Sequence, residues 1–142
     1  MKKVLMLLAM LAMVVLTACG SKKEAAEAPK TTEAKPLKVG IVLSIGGLGD
    51  KSFNDSAYRG LEMAQKDLGI ECKYVEPASP SEDEGYLREY AEAGYDLVIA
   101  TGFLMKDATE KVAKDFPDVK FALIDEVSAL PNVASLLFAE DQ

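Results

Sequence analysis

The sequence predicts an α/β domain, in which a parallel sheet lies between two layers of helices. Short, nearly continuous apolar runs such as "KVGIVLS" (38–44) are typical of strands that are buried on both faces. Segments with apolar residues at helical spacing separate these runs, and glycine or proline follows most of them. Strands and helices that alternate in this way favour parallel pairing of the strands through right-handed crossovers.

The elements predicted after residue 36 follow the order β-α-β-α-β-α-β-β. The predicted strands cover 38–44, 70–77, 95–101, 119–125 and 133–138. The first helix is expected over about 53–68, and Gly69 ends it. The second begins after Ser81, a candidate N-cap, and ends at Gly94. The third spans 105–116, where Pro117 closes it.

The N-terminal segment has the layout of a secretory signal peptide. Lys2 and Lys3 precede an apolar stretch over 4–15, and small residues follow. We therefore assign residues 1–18 to a signal peptide. The alternative is a membrane-anchor helix, but the apolar stretch is shorter than the roughly 20 residues that cross a bilayer.

The end of this segment, Leu-Thr-Ala-Cys (16–19), resembles a bacterial lipobox. The resemblance implies that Cys19 is acylated and becomes the first residue of the mature chain. More than one acyl chain would hold the protein at the cell membrane, on its extracytoplasmic face. Residues 20–36 contain Gly, Ser, Ala, Glu, Lys, Pro and Thr and no large apolar group, so residues 19–36 are interpreted as the lipidated cysteine and a flexible tether.

The charge of the chain excludes several classes of function. The formal net charge is −7, from 16 basic and 23 acidic residues. Loss of residues 1–18 removes Lys2 and Lys3, so 14 basic residues then oppose 23 acidic ones and the charge is −9. Such a balance argues against a nucleic-acid partner. The chain has no histidine, and only Cys72 remains after Cys19, so no internal disulfide framework is expected.

Residues 37–142 are expected to form an incomplete N-terminal ligand-binding lobe. The last predicted strand ends beside the C-terminus, with no further helix to cover it. We therefore expect a fragment of a longer protein whose second lobe is missing. The alternative is a small complete domain.

Ligands of open parallel sheets bind outside the carboxyl ends of the strands. The segments expected there are 44–55, 77–81, 101–104 and 125–129. The glycine-rich loop "GGLGDKSFND" (46–55) fits neither phosphate-binding motif. A P-loop needs its lysine directly after the glycine, but here an acid, Asp50, stands between Gly49 and Lys51. A dinucleotide-binding fingerprint needs a third glycine, which this loop lacks.

An uncharged ligand with a ring and several hydroxyl groups fits these loops better. Asp50 and Asp125 can accept hydrogen bonds from hydroxyl groups, Phe53 offers a face for stacking, and Asn54 can donate and accept. Other interpretations stay open at this point. Phe53 could staple the following helix, Asn54 or Asp55 could cap it, and Asp125 could satisfy a turn. Packing is the favoured role for Tyr58, Tyr86, Tyr90 and Cys72.

Several segments together resemble the basic membrane lipoprotein family, the substrate-binding lipoproteins of ABC importers, and within it the purine nucleoside receptors. They are the lipobox with Cys19, the tether, "KVGIVLSIGGLGDKSFNDSAYRGLEMA", "YDLVIATGF" and "FALID". The resemblance covers the whole chain, and it implies one parallel-sheet lobe of a type I periplasmic-binding-protein-like fold. It further implies capture of a ligand between two lobes without chemistry, delivery to ABC permease subunits, and no cofactor.

The resemblance also assigns roles to individual residues. Phe53 matches the ring that stacks on the base, and Asp125 matches the acid that takes ribose hydroxyls. Gly102 and Phe103 match a turn that borders the cleft. Asp50 and Asn54 lie in the matching loop, so pocket roles are expected for both. Family members often have Asp at the end of the first strand, where this chain has Ser44, and this difference weakens the expected preference for purines.

Two other functions stay open on the sequence alone. A lipoprotein of this kind could bind a sugar or a signalling metabolite, and could present it to a sensor rather than to a permease. An α/β enzyme that handles nucleotides is the less favoured alternative, because no nucleophile–base pair is visible and histidine is absent.

Overall fold

The structure, a computed structural model, describes residues 35–139. The signal peptide, Cys19 and nearly all of the tether lie outside the described residues. The strands are β1 (Lys38–Val42), β2 (Glu71–Val75), β3 (Leu97–Thr101), β4 (Lys120–Ile124) and β5 (Val133–Leu136). The helices are α1 (Phe53–Leu68), α2 (Asp83–Glu92) and α3 (Lys106–Asp115), with short 3₁₀ turns at Pro80–Glu82 and Phe103–Met105. None of the helices within 35–139 is long and apolar enough to span a membrane.

The five strands form one parallel sheet in the order β2-β1-β3-β4-β5. The predicted α/β class and the parallel sheet are confirmed. The chain leaves β1 toward one edge of the sheet to form β2, then crosses back over β1 to form β3 on its other side. Because the direction of winding reverses between β1 and β3, their carboxyl ends flank a switch point, the usual place for a ligand in such folds.

Helices cover both faces of the sheet, as predicted. On one face, α1 packs Leu61 against Val39, Ile41 and Leu43 of the first strand and its extension. On the other face, α2 and α3 pack against β1, β3 and β4 around a larger core. Its buried members include Leu87, Tyr90, Val98, Met105, Val112, Phe121 and Leu123.

Most predicted boundaries agree with the structure to within two residues. Gly69 ends α1 in a left-handed conformation and donates its N–H to the Gln65 carbonyl. The predicted N-cap at Ser81 is wrong, because this residue lies inside the 3₁₀ turn that precedes α2. The last strand stops at Leu136 rather than at 138, since its partner β4 ends at Ile124, which is paired with Leu136.

A glycine in β1 allows α2 to approach the sheet closely. A Cβ atom on Gly40 would lie 2.7 Å from Cδ2 of Tyr90 and 2.8 Å from its Cγ, so the ring occupies the space that a side chain would need. Tyr90 is buried and packs on Tyr95, with ring centroids 4.6 Å apart. Burial raises the pKa of the Tyr90 phenol.

We predict that Gly40→Ala destabilises the domain by about 1–3 kcal/mol, because the added methyl group overlaps a ring in a packed core. Gly60→Ala is the matched control. A Cβ at Gly60 meets nothing within 4 Å, so Gly60→Ala should raise the free energy of unfolding by roughly 0.5–1 kcal/mol, because Ala is the better helix former. Urea unfolding of the two variants measures both effects. Equal stability of the two variants would contradict the packing interpretation.

A buried amide that the sequence did not single out fixes the C-terminal end of α3. Nδ2 of Asn132 lies 2.9 Å from the Ala113 carbonyl oxygen, and 3.2 Å from those of Phe116 and Val119. The backbone carbonyl of Asn132 accepts a hydrogen bond from the backbone N–H of Phe121 at 2.8 Å. One residue thus joins the end of a helix to the start of β4 and β5.

We predict that Asn132→Ala costs about 1–3 kcal/mol of stability, because buried carbonyl groups lose their donor. Asn132→Asp should cost at least as much, since it places an acceptor against the same carbonyls. Ser79→Ala, which removes an exposed hydroxyl, is expected to stay within about 0.5 kcal/mol of the parent protein. If thermal unfolding shows Asn132→Ala to be as stable as Ser79→Ala, the anchoring role is disproved.

Candidate ligand-binding site

A cavity of about 780 Å³ opens at the carboxyl edge of the sheet, beside the switch point. Its size lies within the range of roughly 300–1,000 Å³ that is usual for small-molecule sites. The lining is formed by Ser44, Ile45, Phe53, Gly102, Phe103, Leu104, Asp125, Leu137, Phe138 and Ala139. Segments that follow β1, β3, β4 and β5 therefore meet around one space.

The structure brings together five of the seven residues that the sequence analysis assigned to ligand binding. They are Ser44, Phe53, Gly102, Phe103 and Asp125. Asp50 and Asn54 do not line this cavity. The segment 77–81, also expected near the site, follows the edge strand β2 and contributes nothing to the lining. Tyr58, Tyr86 and Tyr90, expected to have packing roles, do not line it either.

Asn54 lies beneath the site and binds to Ser44. The residue is buried, with a relative exposure of 1%. Oδ1 accepts hydrogen bonds from the Ser44 backbone N–H at 2.9 Å and from Ser44 Oγ at 3.1 Å, and Nδ2 donates to the Ser44 carbonyl at 3.2 Å. The first turn of α1 is thereby tied to the end of the first strand. Asn54 does not cap its own helix.

Asp50 caps α1 instead of facing the cavity. Its carboxylate accepts the backbone N–H groups of Ser52, Asn54 and Asp55 at 2.8–3.1 Å. These hydrogen bonds lower the pKa of Asp50, and the one from Ser52 has the largest effect. Asp55 in turn accepts the N–H groups of Gly49 and Lys51 at 2.7 and 2.9 Å. Two carboxylates are therefore used to shape the loop.

Phe53, at the start of α1, keeps its ring at the surface. Its relative exposure is 41%, and it borders the cavity. The alternative of a staple buried against the following helix is not what the structure shows. Because Asn54 anchors the next position, the backbone that presents this ring is fixed.

Asp125 and Gly102 both have positive backbone φ angles directly after the ends of two neighbouring strands, β4 and β3. Asp125 has φ 62°, and Gly102 has φ 97°. The Gly102 N–H donates to the Ile124 carbonyl at 3.2 Å, and the Asp125 N–H donates to that of Leu136 at 2.8 Å. Asp is one of the few residues with a side chain that tolerate this region. The turn at Asp125 directs the chain away from β4, and Asp125 itself lines the cavity.

The sequence analysis missed the apolar walls of the cavity. Ile45, Leu104, Leu137 and Phe138 line it and are at least half exposed. Leu137 and Phe138 were assigned to the last strand, although they extend past its partner. The available signal was the presence of large apolar residues directly after strand ends, where loops are usually polar.

The part of the cavity lining that the structure describes carries negative charge and no positive charge. Among the lining residues that the structure describes, Asp125 is the only charged one, and no lysine or arginine contributes. A phosphate would meet a like charge without a compensating cation. No group of three or more metal-ligating side chains occurs in the described part of the chain.

Comparisons with known proteins agree with this architecture. The family model described as "ABC transporter substrate-binding protein PnrA-like" (Bmp) matches residues 37–142. An uncharacterized lipoprotein of Pyrococcus abyssi is 43% identical over 114 residues, which are 78% of this chain and 28% of that protein. The ABC transporter nucleoside-binding protein BmpA of Lactococcus lactis is 31% identical over 140 residues, which are 95% of this chain and 39% of that protein.

A solved structure shows the same fold. The solute-binding protein of an ABC transporter system from Aeropyrum pernix K1 superposes with a TM-score of 0.69 at 40% identity. The match covers 74% of this chain and 29% of that one. This chain therefore spans well under half the length of these relatives, as one lobe would. The family match over residues 37–142 confirms the resemblance noted in the sequence, and the chain belongs to the PnrA-like (Bmp) family of ABC transporter substrate-binding proteins.

Proposed function

We propose that this protein captures a nucleoside, with purine nucleosides favoured, and delivers it to the permease of an ABC importer. The observation on which the proposal depends is the pairing, around one cavity, of an exposed aromatic ring, Phe53, with a single carboxylate, Asp125. A nucleoside offers a flat base for the ring and hydroxyl groups for the acid. A nucleotide would add phosphate charge beside Asp125.

The dimensions of the sheet support this choice. Ser44, Gly102 and Asp125 follow three adjacent strands, β1, β3 and β4. Strands lie roughly 4.8 Å apart, so Ser44 and Asp125 stand about 10 Å from each other along the edge. A ligand that reaches both must be elongated, with different polar groups at its two ends. A base joined to a ribose has this form, and the Lactococcus relative is named as nucleoside-binding.

The groups that surround the cavity support capture without chemistry as part of this proposal. The chain has no histidine, and the described lining contains no general base beside a nucleophile. A second lobe would close over the ligand from the other side, as hinged binding proteins do. The acyl chains on Cys19 would keep the protein on the extracytoplasmic face of the membrane, close to the permease.

We predict that Phe53→Ala weakens nucleoside binding roughly 5- to 150-fold, through loss of base stacking worth about 1–3 kcal/mol. Asp125→Asn should weaken it about tenfold or more, because charge-assisted hydrogen bonds to the ribose are lost. Calorimetry on the intact protein in detergent, with inosine, adenosine, guanosine, ribose and common sugars, measures both effects. Met63→Ala and Asp67→Asn, on the exposed side of α1, are the matched controls.

Three outcomes would overturn this proposal. Tight binding of a free sugar with no binding of nucleosides would favour the sugar or signalling receptor. Hydrolysis of a nucleoside by the purified protein would favour the enzyme. Full nucleoside affinity in both Phe53→Ala and Asp125→Asn would place the ligand elsewhere.

The proposed anchor has its own test, because the chain has only two cysteines. We predict that Cys19→Ser moves the protein from the membrane fraction to the soluble fraction of the cell envelope. Cys72→Ser is the control and should leave the protein on the membrane, since Cys72 lies in β2 with its Sγ directed at the Leu61 carbonyl. Membrane retention of both variants would contradict lipidation at Cys19.

A further inference from the structure

The orientation of the Asn54 amide is determined by the backbone that it binds. The Ser44 N–H can only donate, so the atom 2.9 Å from it must be the amide oxygen. The Ser44 carbonyl can only accept, so the atom 3.2 Å from it must be the amide nitrogen. The reversed amide would place a donor against a donor and an acceptor against an acceptor. The assignment of Oδ1 and Nδ2 follows from these two contacts together.

This orientation determines where the proton of the Ser44 hydroxyl points. Ser44 Oγ lies 3.1 Å from the same Oδ1, and an amide oxygen cannot donate. Two acceptors at this distance would repel each other, so the hydroxyl must give its one proton to Asn54. The remaining lone pairs of Oγ are then available to the cavity that Ser44 lines.

We infer that Asn54 turns Ser44 into a group that only accepts hydrogen bonds, so the ligand must bring an N–H or O–H donor to this end of the cavity. Asn54 is thus a positioning residue for ligand selection, and Ser44 provides the contact. The inference rests on the proposed function, since it concerns which nucleosides the same site accepts. A serine would otherwise tolerate a donor or an acceptor equally.

The position of Ser44 indicates which part of the nucleoside meets it. With the ribose at Asp125, the other end of the cavity, about 10 Å away, receives the base. A purine base differs among nucleosides in the donors on its six-membered ring. Inosine has N1–H, adenosine has an amino group on C6, and guanosine has N1–H and an amino group. Purine riboside has no donor on this ring.

The experiment compares these four nucleosides by calorimetry on the intact protein in detergent. The parent protein should bind at least one of the three donor-bearing nucleosides about 3- to 10-fold more tightly than purine riboside, the usual effect of one net hydrogen bond. Ser44→Ala should bring that ratio close to one, because the donor-bearing nucleosides lose their acceptor and purine riboside has no donor to lose. This variant keeps both backbone hydrogen bonds to Asn54, so its fold should be intact, and Ser79→Ala is the distant control.

A pair of variants at Asn54 separates positioning from support of the fold. Asn54→Asp keeps an oxygen for the Ser44 hydroxyl and should retain the preference for donor-bearing nucleosides. Asn54→Leu removes that acceptor, frees the hydroxyl to donate, and should abolish the preference. Both variants lose the hydrogen bond to the Ser44 carbonyl. If Asn54 only supported the fold, each variant would lower the affinity for all four nucleosides by one common factor, and the preference among them would not change.

The outcomes distinguish failure of this inference from failure of the proposed function. If none of the four nucleosides binds, the proposed capture of purine nucleosides fails and the inference fails with it. If they bind but purine riboside is equal to or tighter than the other three, the inference alone is wrong. The same conclusion follows if Ser44→Ala weakens all four equally.

Discussion

The site depends on the parallel pairing of β1 with β3. This pairing joins two strands that are separated in sequence by α1, β2 and α2, and it places Ser44 beside Gly102. A Cβ on Gly102 would lie 3.7 Å from that of Ser44, so the two strand ends are in direct contact. Pairing of β4 with β3 then adds Asp125 to the same edge. No local segment could bring these three residues together.

The loop between β1 and α1 presents Phe53 because its polar side chains bind backbone groups. Asp50 and Asp55 accept backbone N–H groups on both sides of the start of α1, and Asn54 binds Ser44 through both ends of its amide. An exposed ring on a mobile loop would lose freedom on binding a ligand, and that loss reduces affinity. Here the free-energy cost of ordering the loop is met during folding, before the ligand arrives.

The sequence predicted the fold better than it predicted the site. Strands and helices have local signals, such as the apolar run of β1 and the glycine after α1, and those elements formed where expected. Asp50 and Asn54 looked like ligand groups because they are polar and flank Phe53. Their hydrogen-bond partners depend on the path of the loop, which no residue type specifies. Leu137 and Phe138 are free to line the cavity because β4 ends at Ile124, which is paired with Leu136, and offers them no partner. The end of β5 is therefore set by the length of another strand, which the local sequence of β5 does not reveal.

The proposed site combines an apolar middle with acceptors at two ends, and this combination would select a ligand without a cation among the described lining residues. An apolar ligand that covered Asp125 would bury an unpaired carboxylate, which costs several kcal/mol. A ligand with donors alone would leave the rings of Phe53, Phe103 and Phe138 in contact with water. In the proposed complex, a molecule with a flat apolar face between two donor-bearing ends would satisfy all of these groups. The order of the strands sets the spacing of Ser44 and Asp125, about 10 Å given the usual separation of neighbouring strands, so the topology of the sheet determines how far apart the two acceptors lie.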